Sequence, residues 1–234
     1  FMYVQIYTVQ SIKEAKQLLH LGVDNIGLTP ASVGLPGEIT EQLARDIFQS
    51  VKSTNNIALS VSNNIKEILE MTFYVNPDIL HLCGEIGGIS DKELYLLKSK
   101  LQSTTSDIKI MQAVSVDNWD AVQRAKQYSN IVDYLILDTS TNEVEGIGAS
   151  GNTHNWEISK SIVDNVDIPV VLAGGLSPEN VSEAINSGLS EAGIQVIFEM
   201  MHRPKAKGPS YPDQKIQAPK PPHQKPNTAA QEED

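Results

Sequence analysis

Short aliphatic runs recur along the chain, each followed by a longer segment whose apolar positions return every three to four residues. Runs that short and apolar predict strands buried on both faces, and the longer segments predict amphipathic helices. The strands expected on this pattern are Tyr3 to Val9, Asn25 to Leu28, Ile57 to Val61, Ile79 to Leu82, Ile108 to Val114, Val132 to Leu137, Pro169 to Leu172 and Gly193 to Phe198. Helices are expected at Ser11 to Leu21, Thr40 to Val51, Ile65 to Tyr74, Asp91 to Leu101, Asp117 to Tyr128, Trp156 to Val163 and Pro178 to Ser187. Ser11 with Glu14 three residues on, Asn63 before Ile65, and Ser177 before Pro178 supply helix starts, while Gly22 and Gly188 supply stops.

Parallel strands need crossover helices, and eight βα units of this length close more naturally into a (β/α)₈ TIM barrel than into an open sheet. The open alternative carries a glycine-rich phosphate loop after its first strand, whereas Thr8, Val9, Gln10 and Ser11 follow the first strand here. The barrel domain is assigned to residues 1–201. Seven of the twelve prolines lie beyond Arg203, interspersed with Lys, Gln and Ser, so residues 202–234 are expected to form a disordered proline-rich tail. The abrupt change of composition after Arg203 also suggests an incomplete last βα unit.

Composition narrows the function classes. A formal net charge of −11, with no basic cluster interleaved with aromatics, argues against nucleic acid and anionic membrane as partners. An anionic small molecule would be held by local dipoles instead, from backbone N–H groups and helix N-termini. No apolar stretch reaches membrane-spanning length and no secretory leader opens the sequence, so a cytoplasmic location is the expectation. The single cysteine, Cys83, excludes an internal disulfide, and no His, Asp and Glu cluster with ligand spacing points to a metal. No cofactor is expected.

In a barrel, chemistry gathers where strands end. Leu172-Ala173-Gly174-Gly175-Leu176-Ser177-Pro178 joins an apolar strand to a capped helix start through two glycines, the form of a phosphate cradle, or of a tight turn. Asp138 ends an apolar strand, where desolvation favours the protonated carboxyl that a general acid needs; a turn-forming role for Thr139 and Ser140 is equally consistent. Gly148, Ser150 and Gly151 lie in a glycine-rich loop long enough to fold over a ligand, and His154 follows in the same loop. Cys83 ends the fourth strand, either as a buried small hydrophobe or as a nucleophile.

In this order, these segments resemble the phosphoribosylanthranilate isomerase family of tryptophan biosynthesis, over about Tyr3 to Ile185. The motifs that carry the likeness are Leu137-Asp138-Thr139, the Gly148-to-Trp156 loop and Ala173-Gly174-Gly175-Leu176-Ser177-Pro178-Glu179-Asn180-Val181, with weaker support from Gly22 to Gly27 and Asn76 to Gly84. The resemblance implies a cofactor-free Amadori rearrangement of a phosphoribosyl amine. It implies Asp138 as general acid and Gly174 with Gly175 as half of a phosphate site, with Gly148, Ser150, Gly151 and Ser177 as further substrate- or phosphate-binding candidates. The partner implied is a small phosphorylated substrate; the resemblance does not fix an oligomeric state.

Three departures stand out. Where the family's first strand ends in Lys-x-Cys-Gly, with the cysteine as general base, this chain reads Gln5-Ile6-Tyr7-Thr8. The family's arginine after the second strand is absent from Thr29 to Pro36, and Gln195 to Met200 lacks its serine- and glycine-rich phosphate loop. The base is therefore Tyr7 or Cys83, and reduced isomerase activity is expected. The alternative is a catalytically reduced barrel that binds a phosphorylated metabolite or acts as an interaction protein.

Overall fold

The computed structural model describes residues 3–35, 37–84, 87–105, 107–139, 155–176, 180–184, 186 and 195–198. Within them eight parallel strands close into a barrel: β1 (Tyr3–Ile6), β2 (Asn25–Leu28), β3 (Asn55–Ser60), β4 (Ile79–Leu82), β5 (Lys109–Ser115), β6 (Tyr134–Asp138), β7 (Val170–Leu172) and β8 (Gln195–Phe198). Each pairs with the next, and β8 returns to β1 with Tyr3 opposite Gln195 and Ile6 opposite Phe198. The helices are α1 (Ile12–His20), α2 (Glu41–Ser50), α3 (Ile65–Val75), α4 (Asp91–Thr105), α5 (Asp120–Ser129), α6 (Trp156–Val163) and α7 (Val181–Ala184). The expected barrel is thus the observed one. The proposed tail, residues 202–234, and the completeness of the last βα unit fall outside the described residues.

Strand parity builds two cores. Ile26, Leu28, Ala58, Leu80, Leu82, Ile110, Leu135 and Leu137 point outward and pack with Ala15, Ile47, Ile68, Leu97 and Ile162 of the helices. Alternate residues point inward, where Tyr7, Ile57, Ile79, Cys83, Met111, Ala113, Ile136, Val171 and Ala173 make a second, smaller cluster.

Several expected boundaries shift, each for a local reason. β1 stops at Ile6 because Thr8 adopts a left-handed conformation, φ 57°, which no strand continues. α5 begins at Asp120 rather than Asp117, because Asn118 Oδ1 accepts the Asp120 N–H and Asp117 turns to Ser115 instead. The cap of α3 is Asn64, whose side chain accepts the Lys66 N–H. Asn63, expected in that role, lies against Gly84 and Gly88 of the β4–α4 connection, where any added Cβ would fall within 2.5 Å of it. Ser11 caps α1 as expected, and the chain turns away after α1 at Gly22, φ 91°, with the Gly22 and Val23 N–H groups returning to Leu19 and Leu18.

At the base of the barrel one device recurs at three of the even-numbered strands. Asp24, Asp78 and Asp133 immediately precede β2, β4 and β6, and each carboxylate accepts an N–H at the start of the preceding strand: Val4 at 2.8 Å, Asn56 at 2.7 Å and Ile110 at 2.9 Å. The same aspartates donate their own N–H to the Val4, Asn56 and Ile110 carbonyls, each at 2.9 Å. Each aspartate therefore makes a two-bond clamp across a strand pair, which fixes register where the ladder begins. Lys98 reinforces the third, its ammonium reaching Asp133 at 3.2 Å and the Ile131 carbonyl at 2.7 Å.

Leu80 is completely buried between the sheet and the helices, so Leu80→Ala is expected to lower unfolding free energy by about 2–5 kcal/mol. Tyr95→Ala on exposed α4 should change it by no more than about 0.5 kcal/mol. Urea unfolding of both variants checks this; comparable losses would contradict the layered core.

Candidate active site

Parity also decides which side chains meet at the mouth. Tyr7, one residue beyond β1, Cys83, one beyond β4, Asp138, the last of β6, and Ala173, one beyond β7, all continue the inward-facing rows of their strands. Tyr7 and Cys83 are each 4% exposed and Asp138 5%, so the mouth side chains are equally sequestered. The structure thus brings Tyr7 and Cys83 into one cluster and places Asp138 on the same face, next above Ile136 of that cluster.

Tyr7 is fixed from two sides. Its ring lies across Gly27 of β2 so closely that an added Cβ there would come within 2.2 Å of it. Only glycine leaves room for the phenol. The Tyr7 hydroxyl reaches His81 Nδ1 of β4 at 2.6 Å, with the ring centroids 5.4 Å apart. His81 is buried, and burial lowers its pKa to about 3, so its imidazole is neutral at physiological pH. Its Nε2 has no hydrogen-bond partner among the described residues, a deficit worth about 1–3 kcal/mol for a buried polar atom.

Sequence reasoning missed His81. The available signal was its position two residues before Cys83, which puts both on one face of β4. Thr8 carries a second consequence of the Gln5-Ile6-Tyr7-Thr8 stretch. It takes the positive φ that the family's glycine would adopt without strain, and its hydroxyl donates to the Tyr7 carbonyl at 2.8 Å. Gly37 of the β2–α2 loop packs on it, an added Cβ falling 2.7 Å from the Thr8 Cβ.

Asp138 makes the local bond of a turn former at the mouth of the barrel. Its Oδ1 accepts the Thr139 N–H at 2.7 Å, and its carbonyl accepts the Val116 N–H at 2.9 Å. Beside it, Ser115 pairs with Asp138 in register and donates to Asp117 Oδ2 at 2.5 Å, while Arg124 donates to the Ser115 carbonyl at 2.9 Å. Gly174 and Gly175 adopt φ of 83° and 60°, and Asn180 Nδ2 donates to the Gly175 carbonyl at 2.9 Å, holding the turn against the start of α7. Gly148, Ser150, Gly151, His154 and Ser177 lie outside the described residues.

In the β2–α2 loop, which lacks a cation, the Glu38 carboxylate gathers the Val33, Gly34 and Leu35 N–H groups at 3.0–3.1 Å. Hydrogen bonding from Leu35, then Val33 and Gly34, holds its carboxyl below the usual range against the opposing effect of desolvation. A cavity of about 440 Å³ lined by Asn155, Trp156, Glu157 and Lys160 lies beside the start of α6 and includes none of the candidate residues. Among the described residues, no group of three His, Cys, Asp or Glu side chains could hold a metal ion, and no helix is long and apolar enough to cross a membrane.

The buried imidazole makes stability depend on pH. Unfolded, His81 takes up a proton near its ordinary value of 6.5; folded, it resists protonation down to about 3. Its contribution is therefore complete above pH 6.5 and shrinks by about 1.4 kcal/mol per unit as pH falls through that window. His81→Gln should show a shallower acid decline in unfolding free energy than the parent. Parallel declines would mean that His81 is not sequestered from solvent.

Comparison with known proteins agrees with this architecture. The profile described as PRAI: N-(5'phosphoribosyl)anthranilate (PRA) isomerase matches residues 4–196. N-(5'-phosphoribosyl)anthranilate isomerase 2 of Methanosarcina mazei is 42% identical over 189 residues, 79% of each chain. N-(5'-phosphoribosyl)anthranilate isomerase of Haloarcula marismortui is 30% identical over 186 residues, 79% of this chain and 80% of its own. Among solved structures, phosphoribosyl anthranilate isomerase of Thermotoga maritima superposes with a TM-score of 0.67 at 26% identity, covering 86% of this chain and 89% of its own. A further isomerase structure, in complex with reduced 1-(o-carboxyphenylamino)-1-deoxyribulose 5-phosphate, shares the fold with a TM-score of 0.64 at 24% identity, covering 86% of this chain and 88% of its own. With the profile spanning the barrel from β1 into β8, the chain belongs to the phosphoribosylanthranilate isomerase family.

Proposed function

We propose that this protein isomerises N-(5′-phosphoribosyl)anthranilate to 1-(o-carboxyphenylamino)-1-deoxyribulose 5-phosphate in tryptophan biosynthesis. The observation that carries the reading is the family match over residues 4–196, whose barrel sets Asp138 on the inner face at the end of β6. Asp138 protonates the ring oxygen and opens the sugar to an iminium. A base at the mouth then removes the C2′ proton to give an enolamine, which tautomerises to the ketone. Tyr7 and Cys83 are the candidates for that base. Gly174 and Gly175 lend their N–H groups to the phosphate, since their positive φ lets the backbone approach a ligand without a Cβ in the way.

A second reading, a barrel that binds a phosphorylated metabolite with little turnover, draws support from Tyr7. The phenol at the family's base position is buried and its hydroxyl is engaged by His81. An unperturbed phenol, with a pKa near 10, is also a poor base at neutral pH.

Turnover of N-(5′-phosphoribosyl)anthranilate separates the two. Asp138→Asn is expected to lower kcat by about 10²- to 10⁴-fold, the usual range for loss of a general acid. Absent turnover, with product binding retained, selects the binding protein. Gly174→Val should weaken product binding in calorimetric titration. Gly22→Val, with a similar φ of 91° and open space around it, provides the control for backbone strain alone. Equal affinities in these two variants would remove the phosphate role from Gly174.

A further inference from the structure

We infer that His81 acts in the rearrangement through Tyr7: it holds the phenol over Gly27 and takes the phenol's proton as the phenol oxygen accepts the one from C2′. The inference rests on the isomerase reading above and names the partner its base requires. A phenol oxygen that already carries a proton can accept a second only by surrendering the first. The acceptor in place is His81 Nδ1, 2.6 Å away. Gly27 makes the arrangement specific, because any side chain there would occupy the space of the Tyr7 ring.

Burial disfavours the imidazolium in the empty site, so the imidazole becomes an effective acceptor only as the anionic substrate binds beside it. The ring is neutral in the empty site, and with the phenol donating to Nδ1 its own proton resides on Nε2, the nitrogen without a partner among the described residues. No lysine or arginine occurs in Gln5 to Thr8 or in Thr29 to Glu38, so neither strand-end segment supplies a cation to ionise the phenol in advance. A neutral acceptor replaces prior ionisation with transfer at the moment of need.

The C2′–H bond breaks and its electron pair forms the C1′=C2′ double bond of the enolamine, while the iminium π pair moves to nitrogen. The C2′ proton bonds to the Tyr7 oxygen, and the phenol's original proton passes to His81 Nδ1. The positive charge of the iminium thereby moves to the imidazolium, which the substrate's phosphate and carboxylate help to stabilise. When the imidazolium gives its proton back through Tyr7, the surplus proton returns to the Asp138 carboxylate by way of solvent.

Steady-state kinetics of the full chain on N-(5′-phosphoribosyl)anthranilate, protiated or deuterated at C2′, test this. Tyr7→Phe and His81→Gln should each lower kcat by about 10²-fold or more with KM changed by less than about threefold, and the double variant should be no slower than the slower single variant. The C2′ deuterium isotope effect on kcat should be larger in both single variants than in the parent. The amide oxygen introduced by His81→Gln still accepts the phenol hydrogen bond but cannot take up its proton. Full activity in His81→Gln beside a crippled His81→Leu would therefore show a purely positional role and overturn the relay. Gly27→Ala, which leaves both partners in the chain, should lose activity by displacing the ring. If its thermal melting shows that it does not fold, His81→Gln, which adds no volume to the core, still decides. No turnover by the parent overturns the isomerase reading and this inference with it. Parental turnover undiminished by Tyr7→Phe and His81→Gln overturns this inference alone.

Discussion

The register of the barrel rests on three aspartates at its base. Asp24, Asp78 and Asp133 each tie the start of one strand to the next by a carboxylate bond and a main-chain bond. A slip of one residue in any of these pairs would turn a strand's inward row outward, exchanging the aliphatic residues of the outer core with those lining the interior. The side chains at the mouth are simply the upper ends of the inward rows. Asp138 at the end of β6 and Tyr7 beyond β1 owe their placement to hydrogen bonds made at the opposite end of the sheet.

At the mouth, four residues from three strands behave as one unit. Tyr7 requires Gly27 beneath it and His81 across from it, and Thr8 takes a left-handed turn that a β-branched residue adopts reluctantly. Strain at Thr8 and a His81 Nε2 without a partner among the described residues are costs that the surrounding packing must offset, and such costs gather at functional sites more than elsewhere. The polarity of the pair explains why it is sequestered. A phenol and an imidazole that satisfy each other can enter an interior otherwise lined by Ile57, Ile79, Met111 and Val171.

An acidic protein that takes a phosphorylated carboxylate must overcome its own field. With a net charge of −11, long-range steering works against the substrate, and local donors have to do the binding. The chain readily builds such donors from backbone. Val33, Gly34 and Leu35 already surround one carboxylate, that of Glu38, and Gly174 and Gly175 present the same kind of main chain after β7. Main-chain N–H groups carry no net charge, so they attract an anion at close range without altering the protein's overall balance.

The sequence by itself determined the layers and the number of βα units, because hydrophobic period is a local property: β2, β4 and α6 have the bounds that their patterns predict. It also determined the chemical identity of the strand-end residues, and so the family. Asp138 and the Gly174-Gly175 pair could be singled out because each follows an apolar run directly. Element ends were less legible where side chains compete for the same backbone groups, as Asn63 and Asn64 do before α3. Only the tertiary structure decided that Tyr7 meets His81, and that Gly27 is the floor of that contact. The pair is separated by 74 positions in the chain. It forms because barrel closure curls β1, β2 and β4 around one interior, and no pattern confined to a single strand carries that information.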